Sequence, residues 1–300
     1  MPRNMSVRGG AWSIAAVMAC GLLACSNATA LENPPSPTPG TVDPAPLPDT
    51  GQGTGPTTPA PPADGGQARW IPAPGTTWQI QFSGAMDMDV NAEAIDLDLF
   101  DTPQSVIDAL KARNRKVICY FSAGSYEDWR PDSGEFPPKA LGAALDGWPG
   151  EQWLDVRSPE LIELMKRRMD LAVQKGCDAV DLDNMDGFTN NTGFPLEAND
   201  QLHYNQTLAA EAHQRGLSIG LKNDLLQVQD LVEHFDFQIN EQCHVYNECH
   251  MLLPFIEAGK AVFNIEYTGN QADVCASANA MNFDTLFKNR ELDAARTPCR

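Results

Sequence analysis

Eight short apolar runs alternate with helical patterns from Trp78 to near the C-terminus of this 300-residue chain. They cover Trp78 to Phe82, Ala94 to Phe100, Lys116 to Ser122, Asp178 to Asp183, Ser218 to Lys222, Phe235 to Asn240, Ala261 to Tyr267 and Phe283 to Phe287. A near-continuous apolar run of this length is what a strand buried on both faces requires, and helices between such strands make them parallel. Eight is the number that closes the sheet, so the expected fold is a TIM-like (β/α)8 barrel over residues 70–300. One domain is expected, because about 230 residues suit a single barrel.

The helices between the runs have legible ends. Thr102-Pro103 and Ser158-Pro159 each offer an N-cap hydroxyl followed by proline at the first helical position. Lys175-Gly176, Arg215-Gly216 and Ala258-Gly259 place a C-terminal glycine directly before the next strand. Leu161, Leu164, Met165, Met169 and Ala172 form one apolar stripe, read as packing onto the sheet with no cofactor role. The regular alternation is broken by a long insertion, Gly124 to Asp155, that holds Tyr126, Trp129, Phe136, Trp148 and Trp153. It follows a strand end, where barrel enzymes build substrate loops. Its rings serve either as sugar-stacking platforms or as buried loop anchors.

Ahead of the domain, Arg3 and Arg8 precede an apolar stretch from Ala11 to Ala24, too short to span a bilayer comfortably and read as a signal peptide. Its end, Leu22-Leu23-Ala24-Cys25, resembles the lipobox of bacterial lipoproteins and implies a leader over residues 1–25 with lipidation at Cys25. Cleavage after Ala28-Thr29-Ala30 is the competing site. Residues 26–69, rich in Pro, Thr, Gly and Ala, cannot bury enough apolar surface to fold and are expected to form a disordered, Pro-rich linker. In extended form it reaches on the order of 100 Å from an anchor. The expected location is therefore the cell envelope by a lipid anchor in the membrane, or the medium. Ser26, where aspartate would favour an inner membrane, points to the outer membrane or surface.

Forty acids against 21 bases leave a net charge of −19. This excludes nucleic acid as a partner and fits either a solvated acidic surface or a cationic substrate. A monomer is expected. No phosphate-cradling glycine loop, His-Glu-x-x-His helix or Gly-x-Ser-x-Gly elbow occurs, so nucleotide, zincin and serine-esterase chemistry have no support and no cofactor is expected.

In a barrel the residues just after each strand surround one pocket. Those residues are Asp98 and Asp101, Tyr120 and Ser122, Asp183, Lys222 and Asn223, Glu241, Glu266 and Tyr267, and Lys288. Carboxylates dominate. In Asp181-Leu182-Asp183 the two acids point the same way, being two apart on a strand. Asp183, nearer the C-terminal end, is the better nucleophile, with Asp181 a deeper structural or tuning group that is also counted among the substrate-binding residues. Glu241 holds the equivalent place two strands away, and such a pair divides nucleophile and proton-donor roles in glycosidic bond cleavage. A gap of about 5 Å between the two carboxyl groups retains anomeric configuration, and one of about 6.5 to 9.5 Å inverts it. Around them Tyr120, Ser122, Trp129, Asn184, Asp186, Lys222, Asn223, Tyr246, Glu266 and Tyr267 are expected to meet substrate.

Six cysteines remain outside the leader. Cys243 with Cys249, in one strand-end loop, and Cys275 with Cys299, flanking the last strand, are expected to form disulfides. Cys119 and Cys177 are expected to be buried thiols, with a bridge between them the lesser expectation. Cys243-His244 and Cys249-His250 also permit a zinc site, but export favours disulfides and no metal is expected.

At these residues the chain resembles glycoside hydrolase family 114, the endo-α-1,4-polygalactosaminidases. The resemblance is carried by Val117 to Gly124 with Trp129-Arg130, Trp148-Pro149-Gly150-Glu151, Gly176 to Gly187, Tyr204-Asn205, Gly220 to Asn223, Asp236 to Cys243, and Gly259 to Phe263 with Glu266-Tyr267. It runs from about Trp78 to Lys288. It implies a barrel enzyme that cuts α-1,4-linked galactosamine polymers internally, with Asp183 and Glu241 as the catalytic pair. Where members often have Glu-Pro-Asp-Asn, this chain has Asp181-Leu182-Asp183-Asn184, a departure that touches only neighbouring subsite contacts. A partly deacetylated galactosamine polymer is cationic, which would give the acidic domain a use. Two rival readings survive: a non-catalytic polysaccharide-binding lipoprotein, and a barrel hydrolase of another glycosidic linkage.

Overall fold

The structure is a computed structural model and describes residues 69–300. The expected leader, its Cys25 and the linker as far as residue 68 lie outside the described residues. Arg69 already pairs with Asp236, 3.1 Å away.

In chain order the strands and helices are β1 (Trp78–Ile80), β2 (Ala94–Asp98), α1 (Gln104–Ala112), β3 (Lys116–Ser122), β4 (Ser125–Glu127), β5 (Leu141–Ala144) and β6 (Glu151–Leu154). There follow α2 (Pro159–Lys175), β7 (Ala179–Asp183), α3 (Ala198–Gln214), β8 (Ser218–Lys222), α4 (Val228–Leu231), β9 (Phe237–Glu241) and α5 (Cys243–Tyr246). The chain ends in α6 (Leu253–Glu257), β10 (Val262–Glu266), α7 (Gln271–Ala280), β11 (Asp284–Phe287) and β12 (Thr297–Pro298). Every one of the eight apolar runs became a strand. They lie in the order β1-β2-β3-β7-β8-β9-β10-β11, all parallel, with β12 added antiparallel to β11.

Among the described residues no backbone ladder joins β11 to β1, and the seam is bridged by side chains and the C-terminal segment. Lys288 Nζ donates to Gln79 Oε1 at 3.2 Å, Trp78 Nε1 to the Asp284 carbonyl at 2.7 Å, and the Phe82 N–H to the Leu292 carbonyl at 2.9 Å. The sheet is thus TIM-like, closed on this side by polar stitching.

Below the site the barrel interior is solid. Trp78 stacks on Phe263 at 4.8 Å between ring centroids, and Phe237 packs on Phe263 at 5.6 Å. Gly220 makes room for this plug, since a Cβ there would stand 2.6 Å from the Phe237 ring. Outside the sheet, Leu161, Leu164, Met165, Met169 and Ala172 of α2 are all buried in the larger core, as their spacing requires. Gly176 caps α2 in the left-handed region, φ 85°. At α1 the expectation fails: Pro103 is extended and is itself the N-cap, and Thr102 makes no cap bond. The turn is wound by Asp98 instead, whose Oδ1 accepts the Phe100 and Asp101 N–H groups at 2.8 Å each.

The aromatic insertion folds into a small antiparallel sheet of β4, β6 and β5. Phe136 and Trp153 are buried anchors, whereas Trp129 and Trp148 are exposed. Two disulfides, Cys243–Cys249 and Cys275–Cys299, form as expected. The expectation of thiols at Cys119 and Cys177 is corrected, because they are bridged. β3 and β7 are sheet neighbours, and this brings the two Cα atoms to 6.1 Å, within the range a disulfide spans.

Candidate active site

The mouth of the barrel is organised by Lys222, at the end of β8. Its ammonium lies 3.1 Å from Asp183 Oδ1 and 3.2 Å from Glu241 Oε1. Those two oxygens are therefore no more than about 6.3 Å apart, since both touch one nitrogen. Lys222 is itself buried, which disfavours its charge, but the charges of Asp183, Glu241 and Asp181 prevail and hold it well above its ordinary range.

Asp183 is half-buried at the end of β7. Burial works against its ionisation. The Lys222 charge, the Asn184 N–H donated to Oδ1 at 2.8 Å and the Tyr120 hydroxyl donated to Oδ2 at 2.9 Å outweigh it, and the carboxyl sits below its usual range. Tyr120 stays a donor, because burial and then the Asp183 charge push its own pKa far up. Asn184 holds this geometry from the left-handed region, φ 61°. Its amide donates to Ser122 Oγ at 3.0 Å and Ser125 Oγ at 3.1 Å, and Ser125 Oγ donates to Glu151 at 2.8 Å. Gly124 lets the two loops meet: a Cβ there would fall 1.7 Å from the Asn184 carbonyl. The insertion thus buttresses the loop that carries Asp183.

Glu241, half-buried at the end of β9, is placed by Asn223, whose Oδ1 accepts the Glu241 N–H at 3.0 Å. Tyr267 lies beside it. Burial and then the Glu241 charge push its phenol far above the ordinary range.

A cleft of about 400 Å³ opens from Glu241, with Asp186, Asp224, Asn223, Tyr246 and Glu248 among its lining. Among the described residues no lysine or arginine lines it. Burial, then the neighbouring Asp183 charge, raises Asp186 to about 6, and burial with the Asp186 charge raises Asp224 to about 8. Asp224 Oδ2 accepts from Asn205 of α3 at 2.9 Å, while its Oδ1 has no partner among the described residues.

Of the expected site residues, Asp183, Glu241, Tyr120, Asn184, Lys222, Asn223 and Tyr267 converge at the mouth, and Asp186 and Tyr246 line the cleft. Trp129 stands exposed on the insertion. Three are corrected. Ser122 is fully buried and positions Asn184. Glu266 is fully buried and accepts the His244 N–H at 2.9 Å, which anchors α5. Asp181 is fully buried beneath Lys222 and faces Asp96. Asp98 is likewise structural, paired with Arg130 at 2.7 Å. Asp96 and Asp224 were not singled out from sequence. The run Ala94-Ile95-Asp96-Leu97-Asp98 echoes Ala179-Val180-Asp181-Leu182-Asp183, a signal that would have found Asp96.

A carboxylate pair at the C-terminal mouth of a parallel barrel is an arrangement that glycoside hydrolases use. The Glycoside-hydrolase family GH114 profile matches residues 59–300, and the chain belongs to this family. The structure is similar to that of Aspergillus fumigatus Ega3 in complex with galactosamine, at 42% identity over 79% of this chain and 100% of that one, with a TM-score of 0.73. It also shares the fold of the glycoside hydrolase domain of PelA from Pseudomonas aeruginosa, at 12% identity over 74% of this chain and 98% of that one, TM-score 0.59. No curated protein matches the sequence.

Proposed function

We propose that this glycoside hydrolase cuts α-1,4-linked galactosamine-containing polysaccharide within the chain, by double displacement with retention of configuration. The observation that carries the mechanism is the Lys222 ammonium in contact with both Asp183 and Glu241. Glu241 protonates the leaving glycosidic oxygen while an oxygen of the ionised Asp183 bonds to the anomeric carbon. In the second step Glu241 takes a proton from water, the water oxygen attacks that carbon, and the bond to Asp183 breaks. Tyr120, Lys222 and the Asn184 N–H hold the nucleophile in place. The substrate assignment is supported by the likeness to a protein solved with galactosamine and by a cleft with acidic but no basic lining. A cationic sugar chain is drawn to such a surface. Export belongs to the same reading and is supported by three disulfides. Recovery of the protein with free thiols would speak against it.

The test is cleavage of a polysaccharide panel by wild type, Asp183→Asn and Glu241→Gln, with the product anomer followed by NMR. We expect galactosamine polymer to be shortened to α-anomeric ends, and each variant to lose on the order of 10³-fold or more in kcat with folding intact. Undiminished cleavage by either variant would sink the assignment, and β-anomeric product would replace retention by inversion. Binding without shortening would favour a carbohydrate-binding role.

A further inference from the structure

Beneath Lys222 the barrel holds a second pair of acids that the reaction does not touch. Asp96 on β2 and Asp181 on β7 are both 0% exposed. None of their four carboxylate oxygens receives an N–H or O–H from any described residue. β2 and β7 flank β3, where Asp96 is level with Ile118 and Ile118 with Ala179, so Asp181 stands to Asp96 at the two-residue offset that relates Glu241 to Asp183 across β8, and the two carboxyls act on each other. Two carboxylates cannot donate to one another, so facing oxygens are satisfied only if a proton lies between them. Two bare charges at that separation, cut off from water, would also repel strongly. The ionisable groups that act most on the pair are Asp183, next but one to Asp181 on β7, Lys222 from β8 and Glu241 from β9, with Tyr120 of β3 level with Asp181. Lys222 is the only cation among them.

We propose that Asp96 and Asp181 share one proton, and that the single buried negative charge left on the pair is the counter-ion that keeps the Lys222 ammonium centred between Asp183 and Glu241. The need for it follows from the reaction cycle. When Asp183 bonds to the anomeric carbon its carboxylate becomes a neutral ester, and Lys222 loses one of its two upper partners. A fixed charge below keeps the ammonium from following the other. The pair is a positioning element and touches no substrate. Burial, supported for Asp96 by the Asp181 charge, raises both carboxyls, which agrees with a retained proton.

The positioning role rests on the catalytic assignment above, but the shared proton does not, so the test has two arms. The first is infrared spectroscopy near pH 6 without substrate, comparing wild type with Asp96→Asn. Asparagine keeps the shape and donates to Asp181, so we expect the difference spectrum to lose one protonated-carboxyl stretch. No such loss would overturn the shared proton whatever the enzyme cleaves. In the second arm the double variant Asp96→Asn/Asp181→Asn, equal in volume but without charge, is assayed on galactosamine polymer against pH. Removing a negative charge beneath the site favours the deprotonated forms of the groups that remain, so both limbs of the kcat/KM profile should move by about one pH unit to lower pH. A purely structural pair would lower activity without moving the limbs, and that result would overturn the positioning role. If the double variant does not fold, Asp96→Ser/Asp181→Ser, likewise without charge, takes its place and is read by the same limbs, while the first arm decides the shared proton.

Discussion

Asp183 owes its low pKa to donors that arrive from different parts of the chain. Tyr120 comes from β3, Lys222 from β8 and the Asn184 N–H from the residue that follows it. Each is separable by mutation. Tyr120→Phe removes one hydrogen bond to a charged group, worth about 1.5–3 kcal/mol. The carboxyl then protonates more readily, so the acid limb of kcat/KM should move to higher pH, read from a pH–rate profile. An acid limb that stays put would show that the phenol does not act on Asp183. At this scale the sequence was informative about direction and silent about depth. Parity along β7 put Asp181 and Asp183 on one face, and strand polarity ranked Asp183 above it. Nothing local reveals that Asp181 meets Asp96, that Glu266 turns to α5, or that Ser122 serves Asn184, since each depends on what a neighbouring strand presents.

The disulfides act on elements. Cys119–Cys177 ties β3 to the entry of β7 across 58 residues, Cys275–Cys299 closes 24 and Cys243–Cys249 closes 6. By loop-closure entropy their removal costs about 4, 3 and 2 kcal/mol respectively. We therefore expect urea denaturation to rank the Cys→Ala pairs in that order, with the Cys119/Cys177 pair least stable. A larger loss from the six-residue loop would mean that native-state packing outweighs chain entropy. The strands themselves were legible because a strand buried on both faces leaves an unbroken apolar run. The insertion was not. Its hairpin strands are short and pair antiparallel, and whether Trp129 or Trp153 faces solvent depends on a partner strand and on the barrel rim.

Across the whole molecule several carboxyls stay protonated longer than they would in the unfolded chain. Burial is the main cause for Asp181 and for Asp186 and Asp224, the last two of which lie near 6 and 8. Between about pH 4 and 8 the folded state thus binds more protons than the unfolded one, and stability falls as pH rises. Asp183 and Asp236, held below the usual range, act oppositely, but their contribution is lost only as pH falls below about 4. The net charge of −19 adds self-repulsion in the same direction as the raised carboxyls. We expect Tm to be higher at pH 5.5 than at pH 8, with Asp224→Asn flattening the slope at high salt, where self-repulsion is screened. A Tm that rises with pH would refute this.

Strand number, order along the chain and the faces of Asp183 and Glu241 follow from local periodicity, because an apolar run and a two-residue repeat are properties of consecutive residues. The gap between those carboxylates, the ammonium between them, the Cys119–Cys177 bridge and the acid pair below required the folded chain. Each is set by barrel curvature and by register between strands far apart in sequence, which sum many packing contacts that no single segment encodes.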